Sequence, residues 1–156
     1  EFLREHLDDR ITPVGVFVDE KIEVIADLIK RKIINIVQLH GNESEKYITG
    51  LRRVIDCPVI KAFRIESEAD IVSANNSSAD YVLLDSGGGM GKVFDHSLLK
   101  DIARPYFLAG GLTPENVETA VKQLKSFAVD VSSSLETDGF KDKIKMTAFV
   151  NAVRKD

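Results

Sequence analysis

Short runs of β-branched and apolar residues recur along the chain, separated by longer stretches with a helical period. The runs are Val14 to Val18, Ile34 to Leu39, Val59 to Phe63, Tyr81 to Leu84, Tyr106 to Ala109 and Phe127 to Val131. Their near-continuous apolarity suits strands covered on both faces, as in a parallel sheet. Taken from Val14 to Ile36, Ile60, Val82, Phe107 and Ala128, the repeat steps are 22, 24, 22, 25 and 21 residues, one βα unit per step. Between the runs lie amphipathic stripes: Ile22, Ile25, Leu28 and Ile29; Tyr47, Ile48, Leu51 and Ile55; Val117, Ala120, Val121 and Leu124; Met146, Phe149, Val150 and Val153. Thr113, Pro114 and Glu115 form a helix-start signal: a capping hydroxyl, a proline suited to the first turn and an acid at the positive end of the dipole. The segment after Ile65 predicts a shorter helix, ended by Asn75, Asn76, Ser77 and Ser78.

Six βα units build either an open doubly wound sheet or part of a barrel. The strand ends decide between them. An open sheet gathers its site where strand order reverses, whereas a barrel collects residues from many strand ends at one mouth. Asp19, His40, Arg64, Asp85, Gly110-Gly111 and Ser132-Ser133 follow the six runs, which favours an α/β fold of the (β/α)8 barrel type. Barrels often hold phosphate with the loops after strands seven and eight. If the last two units are those loops, the runs are strands three to eight. The chain would then be a single domain with about six of eight units, lacking the first strand, first helix and second strand. Phe2, Leu3 and Leu7 would be the apolar face of a helix cut partway.

Composition narrows the function classes. The 156 residues are 44% apolar and 29% charged, a globular balance. A net charge of -4 and a pI near 5.4 supply no basic field for nucleic acid. No apolar run approaches the ~20 residues of a membrane span, and the opening residues do not read as a signal peptide. The single cysteine, Cys57, precludes an internal disulfide, no Cys/His cluster suggests zinc, and a cytoplasmic protein is the default.

Chemistry concentrates at three places. Asp85 ends an apolar run, and a carboxyl at a barrel mouth in apolar surroundings suits a general acid. The Ser86-Gly87-Gly88-Gly89-Met90-Gly91-Lys92 stretch behind it could fold over a ligand as a lid; the plain alternative is an Asp capping a flexible turn. That stretch is no P-loop, because Val93 follows Lys92. In Val37-Gln38-Leu39-His40-Gly41, His40 could donate to a substrate or hold a neighbour, or be a structural histidine. Gln38, alternating with apolar neighbours, is expected to point inward and need a partner, either a protein group or a ligand. His6 and His96 read as solvated. Gly110-Gly111 and Ser132-Ser133 could bind phosphate through backbone N–H groups and hydroxyls, or be ordinary turns. Asp130, two residues before Ser132, is expected on the same side of its strand, facing substrate hydroxyl or amine groups or pairing with a buried cation. Cys57, just before Pro58 at a strand's N-terminal side, reads as structural.

Several motifs in order resemble the phosphoribosylanthranilate isomerase family. They are Val14 to Val18, Val37 to Gly41, Leu83-Leu84-Asp85, Gly88 to Asp95, Leu108 to Val117, Val129 to Ser133 and Gly139-Phe140-Lys141-Asp142. The resemblance implies a cofactor-free, metal-free Amadori rearrangement of N-(5-phosphoribosyl)anthranilate in tryptophan biosynthesis. It assigns the general acid to Asp85 and phosphate to the loops of Gly110, Gly111, Ser132 and Ser133; Gln38, His40 and Asp130 stand beside these as substrate-binding candidates from their own positions. The family's general base is a Cys in a Lys-x-Cys-Gly motif; neither that motif nor the second-strand Arg expected to meet the anthranilate carboxylate occurs in these 156 residues, so this polypeptide alone is expected to be inactive. Ser134 replaces a usual glycine and puts the phosphate-loop geometry in question. Other phosphosugar barrels, such as indole-glycerol-phosphate synthase or a ribulose-phosphate epimerase, predict a lysine set or metal-binding histidines and carboxylates that these strand ends do not offer. A non-catalytic phosphate-binding barrel remnant is the non-enzyme alternative. The expected partner is a small phosphosugar, with self-association possible through sheet edges left unpaired.

Overall fold

A computed structural model describes residues 6–85 and 96–154. Its first elements are β1 (Val14–Phe17), α1 (Ile22–Lys30), β2 (Ile36–Leu39), α2 (Glu45–Leu51), β3 (Val59–Arg64), α3 (Glu68–Asn76) and β4 (Tyr81–Asp85). A 3₁₀ helix (His96–Asp101), β5 (Tyr106–Ala109), α4 (Val117–Leu124) and β6 (Ala128–Val129) follow. A 3₁₀ turn (Ser133–Leu135), the hairpin of β7 (Glu136–Thr137) and β8 (Phe140–Lys141), and α5 (Lys143–Val153) complete the chain. β1 to β6 run parallel, and their order in the sheet is their order in the chain. That is the arrangement required when each strand returns through a crossover helix. β7 and β8 pair antiparallel on their own.

The chain divides into two compact units. The first holds residues 1–63 and 76–82, the second residues 64–75 and 83–156. In the first, Val14 pairs in register with Ile36, Val37 with Val59 and Leu39 with Lys61. Its core is Ile25, Ile34, Val37, Leu39, Ile48, Leu51, Ile55, Val59 and Ala79, with Phe17, Ile22 and Ile29 packed against it. The α1 stripe explains this directly, since Ile22, Ile25 and Ile29 share the face laid on the strands. Ser44 caps α2, its hydroxyl accepting from Tyr47 N at 3.3 Å. β1 departs from the expectation of strands covered on both faces: Val14, Val16 and Val18 are exposed. β1 stands at the end of the strand order, with a neighbour on one side.

In the second unit Phe107 pairs in register with Ala128. Leu83, Leu84, Leu108, Ala109, Leu112, Val117, Ala120, Leu135 and Phe149 are buried. β6 is shorter than the predicted Phe127 to Val131 and keeps two residues. Phe127 is exposed, its ring edge-on to Phe107 at 5.8 Å. The regular turns of α4 start at Val117 rather than at Pro114. Thr113 still caps the segment, as its carbonyl accepts from Val117 N at 3.0 Å and its hydroxyl from Glu115 N at 3.2 Å. The α5 stripe buries Phe149, whereas Met146 and Val150 lie exposed. Leu7 sits in a bend, not in a helix, and Phe2 and Leu3 lie outside the described residues. Among the described residues no helix is long and apolar enough to cross a membrane.

Candidate active site

Each unit carries its own set of chemistry-bearing groups, and the geometry of each follows from its strand ends. In the first unit the ends of β1, β2 and β3 are interlocked. His40 N donates to Phe17 O at 2.7 Å, continuing the β1–β2 ladder one residue beyond β2. Gln38 is buried, as are Val37 and Leu39 on either side, and it has a side-chain partner: Gln38 Nε2 lies 3.0 Å from His40 Nδ1. With the amide nitrogen as donor, Nδ1 accepts, so the neutral imidazole carries its proton on Nε2. His40 is half-buried, suited to present a ring face while its inner nitrogen is held.

The turn after His40 is a tight one. A Cβ on Gly41 would lie 2.7 Å from Asp19 Oδ1 and 2.8 Å from Asp19 N, so only glycine fits against the Asp19 backbone. Asp19 itself adopts φ +50, a conformation asparagine and aspartate tolerate best among non-glycine residues. Its carboxylate accepts from Asn42 N at 2.7 Å. Asp19 was expected as a mouth residue; it is exposed and its Oδ1 ties the β1 turn to the β2 turn.

Two further charged residues complete this cluster, and sequence reasoning missed both. Glu43 and Lys61 form a buried ion pair at 3.0 Å. The available signal was Lys61 itself, a lysine inside the apolar run Val59 to Phe63, because lysine is almost never fully buried without a partner. Arg64, at the end of β3, is exposed and paired with Glu66 at 2.8 Å.

In the second unit Asp85 ends β4, half-buried, with its carbonyl accepting from Ile65 N at 3.0 Å. Asp85, Gly110-Gly111 and the Asp130 to Ser134 segment follow β4, β5 and β6, three consecutive strands of a parallel sheet, at the same end of each. Gly110 and Gly111 take φ +88 and +63, values that favour glycine and turn the chain sharply toward α4. Asn116 reaches back across this turn, accepting from Thr113 N at 2.8 Å and donating to Gly111 O at 2.9 Å. With the Thr113 hydroxyl on Glu115 N this is a reciprocal capping arrangement. It leaves Gly111 fixed, and the Thr113-Pro114-Glu115 start signal points to Thr113 but not to Asn116.

The serine segment corrects one expectation and answers another. Asp130 N donates to Leu108 O at 2.8 Å, but the strand has ended, and Ser132 takes φ -133, ψ -81. The alternation that placed Asp130 and Ser132 on one side of a strand therefore does not apply, because β6 stops at Val129. Ser134, the departure from the usual glycine, is not among the residues with positive φ. It lies in the 3₁₀ turn, and its hydroxyl donates to Leu112 O. The loops after β5 and β6 are thus bonded to each other. Ser132 and Ser133 are exposed, and Lys141 Nζ donates to both Ser132 O and Ser132 Oγ at 3.0 Å while pairing with Glu136 at 2.6 Å. Lys141 places a cation at the serine turn, supported by the β7–β8 hairpin.

Cys57 is half-buried before β3 and packs against the core of the first unit. Burial, then the negative charges of Asp80 and Asp56, push its thiol upward, so it is a poor thiolate source. The stretch Ser86 to Lys92, expected as a lid, and the motif Gly88 to Asp95 lie outside the described residues. His6 is exposed.

A family model for N-(5'-phosphoribosyl)anthranilate (PRA) isomerase matches residues 3–152. N-(5'-phosphoribosyl)anthranilate isomerase of Endomicrobium trichonymphae is 45% identical over 156 residues, covering 97% of this chain and 76% of that protein. The enzyme of the same name from Clostridium acetobutylicum is 43% identical, covering 99% and 78%. The crystal structure of phosphoribosyl anthranilate isomerase from Thermotoga maritima superposes with a TM-score of 0.86 at 37% identity, over 97% of this chain and 77% of that one. A structure of such an isomerase in complex with reduced 1-(o-carboxyphenylamino)-1-deoxyribulose 5-phosphate gives a TM-score of 0.83 at 35% identity, over 97% and 76%. This chain spans about three quarters of the length of these relatives.

Proposed function

Because the chain belongs to the N-(5'-phosphoribosyl)anthranilate isomerase family, we propose that its residues serve the Amadori rearrangement of N-(5-phosphoribosyl)anthranilate to 1-(2-carboxyphenylamino)-1-deoxyribulose 5-phosphate, an aldose–ketose isomerisation without a cofactor. β1 to β6 correspond, in this reading, to strands three to eight of the family's (β/α)8 barrel. The supporting observation is the shared strand-end position of Asp85, the glycine pair and the serine turn in the second unit.

Asp85 is the general acid. Its carboxyl proton passes to the ribose ring oxygen as the C1–O bond breaks, giving an open-chain Schiff base with nitrogen. A base then removes the C2 proton, and the electron pair moves to form the enol amine, which tautomerises to the ketone. In the family that base belongs to a Lys-x-Cys-Gly segment, which these 156 residues do not contain. Cys57 does not replace it, being at the N-terminal side of β3 with a raised thiol pKa.

The phosphate is held by Gly110, Gly111, Ser132 and Ser133, through backbone N–H groups of a positive-φ turn and through hydroxyls. Gln38 orients His40, which donates to the substrate, and Asp130 receives a sugar hydroxyl or the amine. The substrate's negative charge is favoured by Lys141 beside Ser132. Self-association through the β1 edge, with its exposed Val14 and Val16, remains part of this reading.

The test is Asp85→Asn in the intact isomerase. Loss of general-acid catalysis lowers turnover by about 10²- to 10⁴-fold while affinity for a phosphosugar product analogue stays within about twofold. Turnover equal to the unsubstituted enzyme removes Asp85 from the acid role.

A further inference from the structure

The isomerase reading makes no use of the ion pair buried between the ends of β1, β2 and β3. Lys61 Nζ lies 3.0 Å from Glu43 Oε2, with side chains 7% and 1% exposed. Such a pair adds little net stability, since removing two charges from water offsets most of their attraction. Its hydrogen bonds point to another role. The ammonium has three protons and three acceptors: Gly41 O at 2.7 Å, Glu43 Oε2 at 3.0 Å and Ala62 O at 3.1 Å. The carboxylate takes Asp19 N at 2.8 Å on Oε1 and Gly41 N at 3.0 Å on Oε2. Gly41 is therefore held at both its N–H and its C=O. Its N–H belongs to the peptide that joins it to His40, so holding that peptide plane fixes the ψ of His40. His40 N is held from the other side by Phe17 O, and its ring by Gln38.

We propose that Lys61 and Glu43 are a positioning pair that sets the direction of the His40 imidazole. Neither touches the substrate; both act through Gly41. The inference rests on the reading of His40 as a substrate-facing group. A carboxylate is required at residue 43 because it accepts from several donors at once, whereas a glutamine would turn N–H groups toward some of them. The lysine is required because it satisfies the carboxylate and the Gly41 carbonyl together.

The experiment uses the 156-residue chain labelled uniformly with ¹⁵N, whose three histidines keep ring assignment simple. In the unsubstituted protein the Asp19 and Gly41 amides exchange with solvent as slowly as those of Val37 and Leu39; exchange as fast as an open loop overturns the proposal before any variant is made. The variant is Lys61→Met with Glu43→Gln, which removes both charges and leaves no ion buried alone. It folds, and the Asp19 and Gly41 amides exchange at least about tenfold faster. At a pH where the rings are neutral, the two His40 ring nitrogens, distinct in the parent, move toward the tautomer-averaged values of a free imidazole. A folded double variant with His40 signals unchanged sinks the pair's positioning role. Failure of the underlying reading looks different: His40→Ala in the intact isomerase would leave turnover unaltered, whatever the ring signals of the double variant do.

Discussion

The loops of the two units reach a fixed shape by different means. After β1, β2 and β3 the chain is held by charge: a buried carboxylate and a buried ammonium collect the backbone groups of Asp19, Gly41 and Ala62. After β5 and β6 the chain is held by backbone conformation and neutral caps. Gly110 and Gly111 take left-handed φ, the Asn116 side chain caps Thr113 N, the Thr113 hydroxyl caps Glu115 N, and Ser134 bonds Leu112 O. The difference suits what each is proposed to bind. A loop that receives a phosphate dianion must keep its own N–H groups available and cannot bury a carboxylate among them. A loop that presents an imidazole can spend its N–H groups internally and gains a fixed direction. One cluster is sensitive to losing a single charge, the other to gaining a side chain.

The largest expected effect tests the first half of that statement. Lys61→Met alone leaves the Glu43 carboxylate buried without its cation, and such a loss costs about 3–5 kcal/mol. Adding Glu43→Gln recovers most of it, because two neutral groups replace two ions. Urea unfolding of the two variants measures the difference. Equal destabilisation by both would mean that packing, not charge, holds the first cluster.

The second half is tested at Gly110. At φ +88 an alanine is strained, and Gly110→Ala costs about 1–2 kcal/mol. The same change weakens binding of a phosphosugar analogue, read by calorimetric titration, since the turn that aims the N–H groups is displaced. A Gly110→Ala protein of parental stability and affinity would show that the turn's left-handed conformation is dispensable.

Thr113→Ala removes one neutral cap from the same region and costs about 1 kcal/mol. The thermal midpoint falls by about 2–4 °C for a chain of this size. The expected order, Lys61→Met above Gly110→Ala above Thr113→Ala, is itself the comparison in energetic form.

How much of this was legible in the sequence depends on the range of the interaction. β5 occupies Tyr106 to Ala109 as its apolar run predicted, and α1 lays its Ile22, Ile25 and Ile29 on the strands, because period and side-chain type are local. Gly110-Gly111 was legible for the same reason, since adjacent glycines ahead of a Thr-Pro-Glu start signal a turn. The ion pair was not: Glu43 and Lys61 are eighteen residues apart, and no period joins a loop to the middle of a strand. A lysine within Val59 to Phe63 was the one hint. Ser132 was misplaced because the apolar run to Val131 outlasts the strand, which ends at Val129. Beyond that point tertiary bonds, Ser134 to Leu112 O and Lys141 to Ser132, decide the path. Asp85 was placed by the run before it; the family resemblance, not the pattern, gave it a role.

The smallest effect separates buried charge from exposed charge within the first unit. Asp80 pairs with Arg52 at 2.7 Å and accepts from Val59 N at 2.7 Å, but the pair's side chains are 36% and 38% exposed. Burial pushes the Asp80 carboxyl upward; the Arg52 and Val59 hydrogen bonds pull it down by more, leaving it below its ordinary value near 3.8. A depressed folded pKa means the unfolded chain binds the proton more readily. The contribution is therefore fully present above the unfolded value and fades as pH falls through 3.8 toward the lower folded value. Salt screens it, as it does any exposed pair. Asp80→Asn should thus lower stability slightly at pH 7, by less in high salt, and the gap from the parent should close below about pH 4. Parallel urea titrations at pH 7 and pH 3 measure it. A gap that is undiminished at pH 3 would show that Asp80 acts through the geometry of its bond to Val59 N, not through its charge, and would leave Lys61–Glu43 as the unit's one charge-dependent tie among these two pairs.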